Sequence, residues 1–156
     1  IVALVEDKPG VLNRIASMFR RRNFNIASLA VGHSEQIGYS RMTFVVEGDE
    51  FTIDQVTKQL DSLIDVINVS KLEESEIVMR ELAIIKVSTT KANRAEIMQL
   101  VEIFRANIVD VSSHSIIVEV TGEEEKIESL CALLKPFGIK EIMRTGRVAM
   151  LRGVYQ

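Results

Sequence analysis

The apolar residues of this chain change period in the same order twice, and that doubling constrains the fold more than any single motif. Residues 1–6 read as a strand. Between Gly10 and Arg22, the residues Val11, Leu12, Ile15, Ala16 and Phe19 fall on one helical face, with Asn13, Arg14, Ser17, Arg20 and Arg21 opposite. Residues 23–31 return to a strand, 32–38 form a polar loop and 39–46 are extended again. Thr52 opens a helix with Ile53, Val56, Leu60 and Leu63 inward, and 66–72 close the unit. The second half repeats the rhythm. A strand over 82–87 precedes a helix carrying Ile97, Leu100, Val101 and Phe104 at i, i+3, i+4 and i+7. A hairpin over 108–111 and 116–120 follows, then a helix with Ile127, Leu130, Cys131 and Leu134. Gly138 ends that helix, and 139–143 with 148–151 supply closing strands.

Strand, helix, strand, strand, helix, strand, twice over, predicts an α+β protein of two tandem ferredoxin-like βαββαβ domains. The polar stretch 73–76 divides them into residues 1–73 and 77–156. Each sheet carries both helices on one face and leaves the other face and its edges open. In the first half Ala27, Leu29 and Val31 alternate with Ser28 and Ala30, so neither strand face is strongly polar, and self-association is expected.

Composition narrows the function. With 156 residues, 47% of them apolar, two modest cores are within reach. A net charge of −3 and a pI near 5.5 argue against nucleic acid as partner. Residues 1–75 hold 8 Lys/Arg and 11 Asp/Glu, residues 76–156 hold 11 of each, and neither half is polybasic. Cys131 is the only cysteine, which excludes an internal disulfide and suits a reducing compartment. No run of about 18 apolar residues occurs, so no membrane span is expected. No leader pattern is present either, and the cytoplasm is the expected location. The chain starts without Met, inside a strand, so residues before Ile1 are expected.

Residues 4–12, Leu-Val-Glu-Asp-Lys-Pro-Gly-Val-Leu, lead from a strand through a Pro-Gly turn into the first helix. Pro9 suits a first helical turn and Gly10 permits close approach to the backbone, so N–H groups there can seat a carboxylate. Thr52/Gln55, Asn93/Glu96 and Thr121/Glu124 give the other helices capping-box spacing, which the first helix lacks. Asp7 is either its cap or part of a ligand site. In the second reading the Gly10 and Val11 N–H groups hold the carboxylate of a free amino acid. Asp7, and the Asn25 amide carbonyl, then accept from its ammonium, while Val11 and Ile26 offer apolar surface. Two or three such charge-assisted bonds, each roughly 1.5–3 kcal/mol, suffice for a micromolar-to-millimolar regulatory site.

The remaining candidates read plainly. Arg20-Arg21-Arg22 complements a helix C-terminus, or else meets an acidic patch on a partner; Glu123-Glu124-Glu125 suits a helix start. His33 and His114 lack companions at metal-ligand spacing, and Cys131 lies on an apolar helical face. No nucleophile elbow, phosphate-binding glycine loop or catalytic carboxylate pair occurs, so neither a cofactor nor an activity of its own is expected.

These residues resemble the small, regulatory subunits of acetolactate synthase (acetohydroxyacid synthase). The resemblance lies in 5–12, 24–32, 40–46 and 59–66, which look like the ACT domain of that family. In the second half it lies in 80–83, 103–111 and 144–149. It implies a homodimer through the ACT domains and a thiamine-diphosphate-dependent catalytic large subunit as partner. It also implies activation of that subunit in branched-chain amino acid biosynthesis, and feedback inhibition, usually by valine. By the same resemblance the effector sits between two ACT domains, on Asp7, Gly10 and Val11 of one chain and Asn25 and Ile26 of the other. Many members carry Asn where this chain has Asp7, which bears on effector affinity and choice.

Three other readings were open to the residues. An RNA-recognition domain shares the strand–helix order, but 39–45 lack its basic aromatic pattern. An amino-acid sensor serving another enzyme or a transcriptional regulator fits the first half alone. A stand-alone enzyme would need a catalytic grouping.

Overall fold

In the computed structural model, which describes residues 1–153, alternation along the first strand, β1 (Val2–Glu6), buries Ala3 and Val5 on one face. The helix α1 (Val11–Arg21) lays Val11, Ile15, Met18 and Phe19 over that face. Two strands follow, β2 (Ile26–His33) and β3 (Tyr39–Val46), and β3 adds Met42 and Phe44 to the same core. The helix α2 (Glu50–Asp61) covers it with Val56 and Leu60, and β4 (Val66–Ser70) closes the unit. All pairings are antiparallel, in the order β2-β3-β1-β4, so β2 and β4 are the edges. Phe19 stacks on Phe44 at 5.5 Å and meets Phe24 edge-on at 6.2 Å, tying both ends of the α1–β2 link to the sheet.

The second unit repeats the plan. Its strand β5 (Ile77–Ser88) precedes α3 (Arg94–Ile103), β6 (Asn107–Val111), β7 (Ser115–Gly122), α4 (Glu124–Leu134) and β8 (Ile139–Arg144). The order β6-β7-β5-β8 is that of the first sheet. Ala83, Ile85 and Val87 interleave with Ile116, Val118 and Val120 beneath Ile97, Val101, Ile127, Leu130 and Leu134. The buried Glu81 carboxylate takes a two-point bond from Arg144, at 2.5 and 3.1 Å. Both first helices end alike. Asn23 (φ 57°) and Arg105 (φ 51°) take the left-handed conformation, and Phe24 and Ala106 donate back to the Phe19 and Val101 carbonyls. By contact, residues 1–78 and 147–153 form one unit and 79–146 the other. The last strand, β9 (Val148–Leu151), pairs with β5 off the main order. Arg147 N–H donates to Ser28 Oγ, and Arg152 N–H to the Glu76 carbonyl.

Four local expectations are corrected. The expected polar loop from residue 32 begins later, because Gly32 and His33 continue the β2 ladder opposite Arg41 and Ser40. The capping box at Thr52 does not form: α2 starts at Glu50, and Asp49 accepts from Thr52 N–H at 2.8 Å. Asn93 does precede α3, but its Oδ1 turns back to Thr90 N–H at 2.7 Å and caps nothing. Thr121 stays in β7, so α4 begins after Glu123 with no side-chain cap.

Candidate functional site

The N-terminus of α1 sets the site. Pro9 removes one donor, and Gly10 turns the chain into the helix at φ +89°, where an L side chain is strained. No side chain caps the helix, and its first turn holds no acid. The missing cap is shared with α3 and α4, but α3 has Glu96 in its first turn, and α4 has Glu124 and Glu125. What singles out α1 is a positive helix end with neither cap nor carboxylate. Nothing lies within 4 Å of where a Gly10 Cβ would stand, so a small ligand can reach the backbone there. Val11 N–H points to the Lys8 carbonyl at a long 3.5 Å. The Val11 side chain is buried in the core, and the neighbouring exposed apolar surface belongs to Leu12, 51% exposed.

Asp7 does not cap α1. Its N–H donates to the Gly38 carbonyl at 2.9 Å, which ties it to the β2–β3 turn. Its Oδ2 lies 3.0 Å from His33 Nδ1 at the end of β2, an ion pair when the imidazole is protonated. His33 is thus a neighbour of the candidate site.

Beneath the turn lies a residue the sequence did not mark. Asp65 is 2% exposed, and Lys8 and Arg14 converge on its two carboxylate oxygens, Lys8 Nζ at 3.2 Å from Oδ1. Lys8 also meets Glu6, and these two carboxylates hold its ammonium above the ordinary lysine value, Glu6 more than Asp65. Glu6 N–H donates to the Asp65 carbonyl, so charge and backbone together lock the end of β1 to the approach of β4. No local pattern announces this, because Asp65 lies 51 residues beyond Arg14.

Asn25 and Ile26 stand elsewhere. Ile26 pairs with Val46 at one end of β3, whereas Glu6 pairs with Tyr39 at the other. Seven residue steps of strand separate those ends, about 23 Å. Asn25 Nδ2 donates to Glu47 at 3.1 Å, and Ile26 packs half-buried against the core. Within one chain, then, Asp7, Gly10 and Val11 are together, and Asn25 and Ile26 are together at the opposite end.

Among the described residues no helix is long and apolar enough to cross a membrane, and no group of three metal-ligating side chains occurs. Comparison with known proteins is specific. Residues 1–68 match the family described as the AHAS small subunit-like ACT domain, and residues 80–153 match the small subunit of acetolactate synthase. The chain is 55% identical over 153 residues to a probable acetolactate synthase small subunit of Archaeoglobus fulgidus, covering 98% of this chain and 96% of the relative. It is 52% identical to the acetolactate synthase small subunit of Bacillus subtilis, over 100% of this chain and 91% of that one. Among solved structures, the acetolactate synthase small subunit of Thermotoga maritima superposes with a TM-score of 0.92 at 44% identity, covering 99% and 96% of the two chains.

Proposed function

The chain belongs to the acetolactate synthase small-subunit family, with an ACT domain at its N-terminus, and from that premise we propose how it regulates. It has no catalytic residues of its own. It associates with the thiamine-diphosphate-dependent large subunit and raises that subunit's activity. It confers feedback inhibition by valine or a related branched-chain amino acid, in the cytoplasm.

The observation that carries the effector reading is the bare N-terminus of α1. A carboxylate seated on the Gly10 and Val11 N–H groups meets the positive helix end with no competing acid. Asp7, one turn away, then accepts from the ammonium on the same carbon. Leu12 and the partner's Ile26 flank the branched side chain.

The topology supports building this site from two chains. Strand β2 is an edge, with backbone donors and acceptors left unpaired on its outer side. Two copies joined along β2 by a two-fold axis run antiparallel there. That pairing sets the Asn25 end of one β2 against the His33 end of the other, beside Asp7 and Gly10. The five residues that one chain holds apart are thereby united. A ligand bridging two protomers shifts the dimer only by binding one arrangement better, and the catalytic subunit senses the same shift.

Reconstitution tests the proposal. The catalytic subunit alone and with this chain are assayed for acetolactate formation, with and without valine, leucine and isoleucine. The reading requires activation by the chain, reversal by one of the amino acids, and no product from the chain alone. Unchanged activity on adding the chain refutes it.

A further inference from the structure

The basic run at the end of α1 has a setting that helix-dipole compensation does not account for. Residues 1–78 hold eight Lys and Arg, and four of them, Lys8, Arg14, Arg41 and Lys71, reach carboxylates. The other four, Arg20, Arg21, Arg22 and Lys58, are exposed and have no carboxylate partner among the described residues. They gather at the C-terminal ends of α1 and α2. Arg21, Arg22, Met18 and Gln59 line a groove of about 470 Å³ between those two helices. Arg20 and Arg21 alone sit in the last turn of α1, and Arg22 lies beyond it, its backbone held by Met18 and Arg20 carbonyls. Asn23 then breaks the helix in the left-handed conformation. Arg21 and Arg22 thus line a hollow that has a thioether and an amide in its wall.

We propose that this groove docks an acidic segment of the catalytic subunit, a short stretch presenting Asp or Glu side chains; this rests on the reading that the chain acts on a separate large subunit. Charge complementarity commits the site to such an occupant. Arginine forks pair carboxylates at two points, and both forks and the Lys58 ammonium are free to do so. An extended polyanion is disfavoured by the chain's net −3 and by a basic surface only four charges wide. The groove lies at the C-terminal end of α1, and the effector turn at its N-terminal end. One helix therefore joins the two surfaces, so a shift at Gly10 is felt at Arg21 and Arg22.

The test uses the full chain and its own catalytic subunit in an activation titration. Arg21→Glu/Arg22→Glu is expected to raise the half-activating concentration by about tenfold or more and to flatten its dependence on salt. Lys135→Glu/Lys140→Glu, with the same change in net charge, is expected to titrate like wild type. Circular dichroism checks the fold, and Arg21→Gln/Arg22→Gln with a salt series on wild type replaces the reversal if it does not fold. A variant titration that superimposes on wild type overturns the proposal. So does a weakened homodimer with unaltered activation, which gives the groove to a second copy of this chain. If wild type itself fails to activate, the regulatory reading falls first and this proposal with it.

Discussion

His33 Nδ1 stands 3.0 Å from the Asp7 carboxylate, so the group proposed to receive an effector's ammonium already has an internal cation within reach. That contact is an ion pair only with the imidazole protonated, and both side chains are largely exposed. His33→Gln should tighten effector binding by at most a few-fold, in keeping with a solvent-exposed pair. Calorimetric titration of both proteins checks this.

Asp65 anchors the turn from below. Asp65→Asn keeps the shape but withdraws the charge that Lys8 and Arg14 share. Both partners stay half-exposed and can rehydrate, so the expected loss is about 2 kcal/mol rather than the larger penalty of a fully buried pair. Thermal unfolding reads that loss, and effector affinity should fall with it as residues 7–10 loosen.

Gly10→Ala separates backbone strain from occupied space. The site is open, so the added methyl meets nothing, and the cost comes from φ +89°, about 1 kcal/mol. Gly10→Asp carries the same strain but puts a carboxylate at the positive helix end, where it takes the effector's place. Both variants should fold with similar midpoints, and only the second should lose binding outright.

The α2 cap gives a stability prediction with a definite pH sign. Asp49 accepts from Thr52 N–H and hydroxyl, and these bonds hold its carboxyl below the ordinary aspartate value. A carboxyl depressed on folding adds stability above its unfolded value and loses it as pH falls through the folded one. Asp49→Ala should thus unfold at a lower temperature than wild type at neutral pH. The two midpoints should converge in acid, as measured by scanning calorimetry.

Much of this was legible in the chain because apolar period reports element type directly. The Tyr39–Val46 strand is legible at both ends because its extended run lies between Gly38 and Gly48. Caps were misread because Thr52, Asn93 and Thr121 matched a spacing without the required backbone. Asp49 competes for the first, a local turn consumes the second, and a strand retains the third. At the site, Asp7, Gly10 and Val11 could be grouped because they are neighbours in sequence. Asp65 and His33 could not, because only the sheet register brings them to the turn. The separation of Asn25 and Ile26 from Gly10 also rests on register, which no local pattern encodes.

The claim that the effector site is shared between two chains meets its most direct test in complementation. Gly10→Asp and Asn25→Ala lie at opposite ends of one sheet, and each should abolish binding alone. Co-refolded in equal amounts, half of the dimers combine one chain of each kind, and each of these holds one intact site. Calorimetric titration of that mixture with the amino acid that wild type binds should recover about one quarter of the wild-type sites. A mixture that stays silent, or an Asn25→Ala protein that binds normally by itself, contradicts the account.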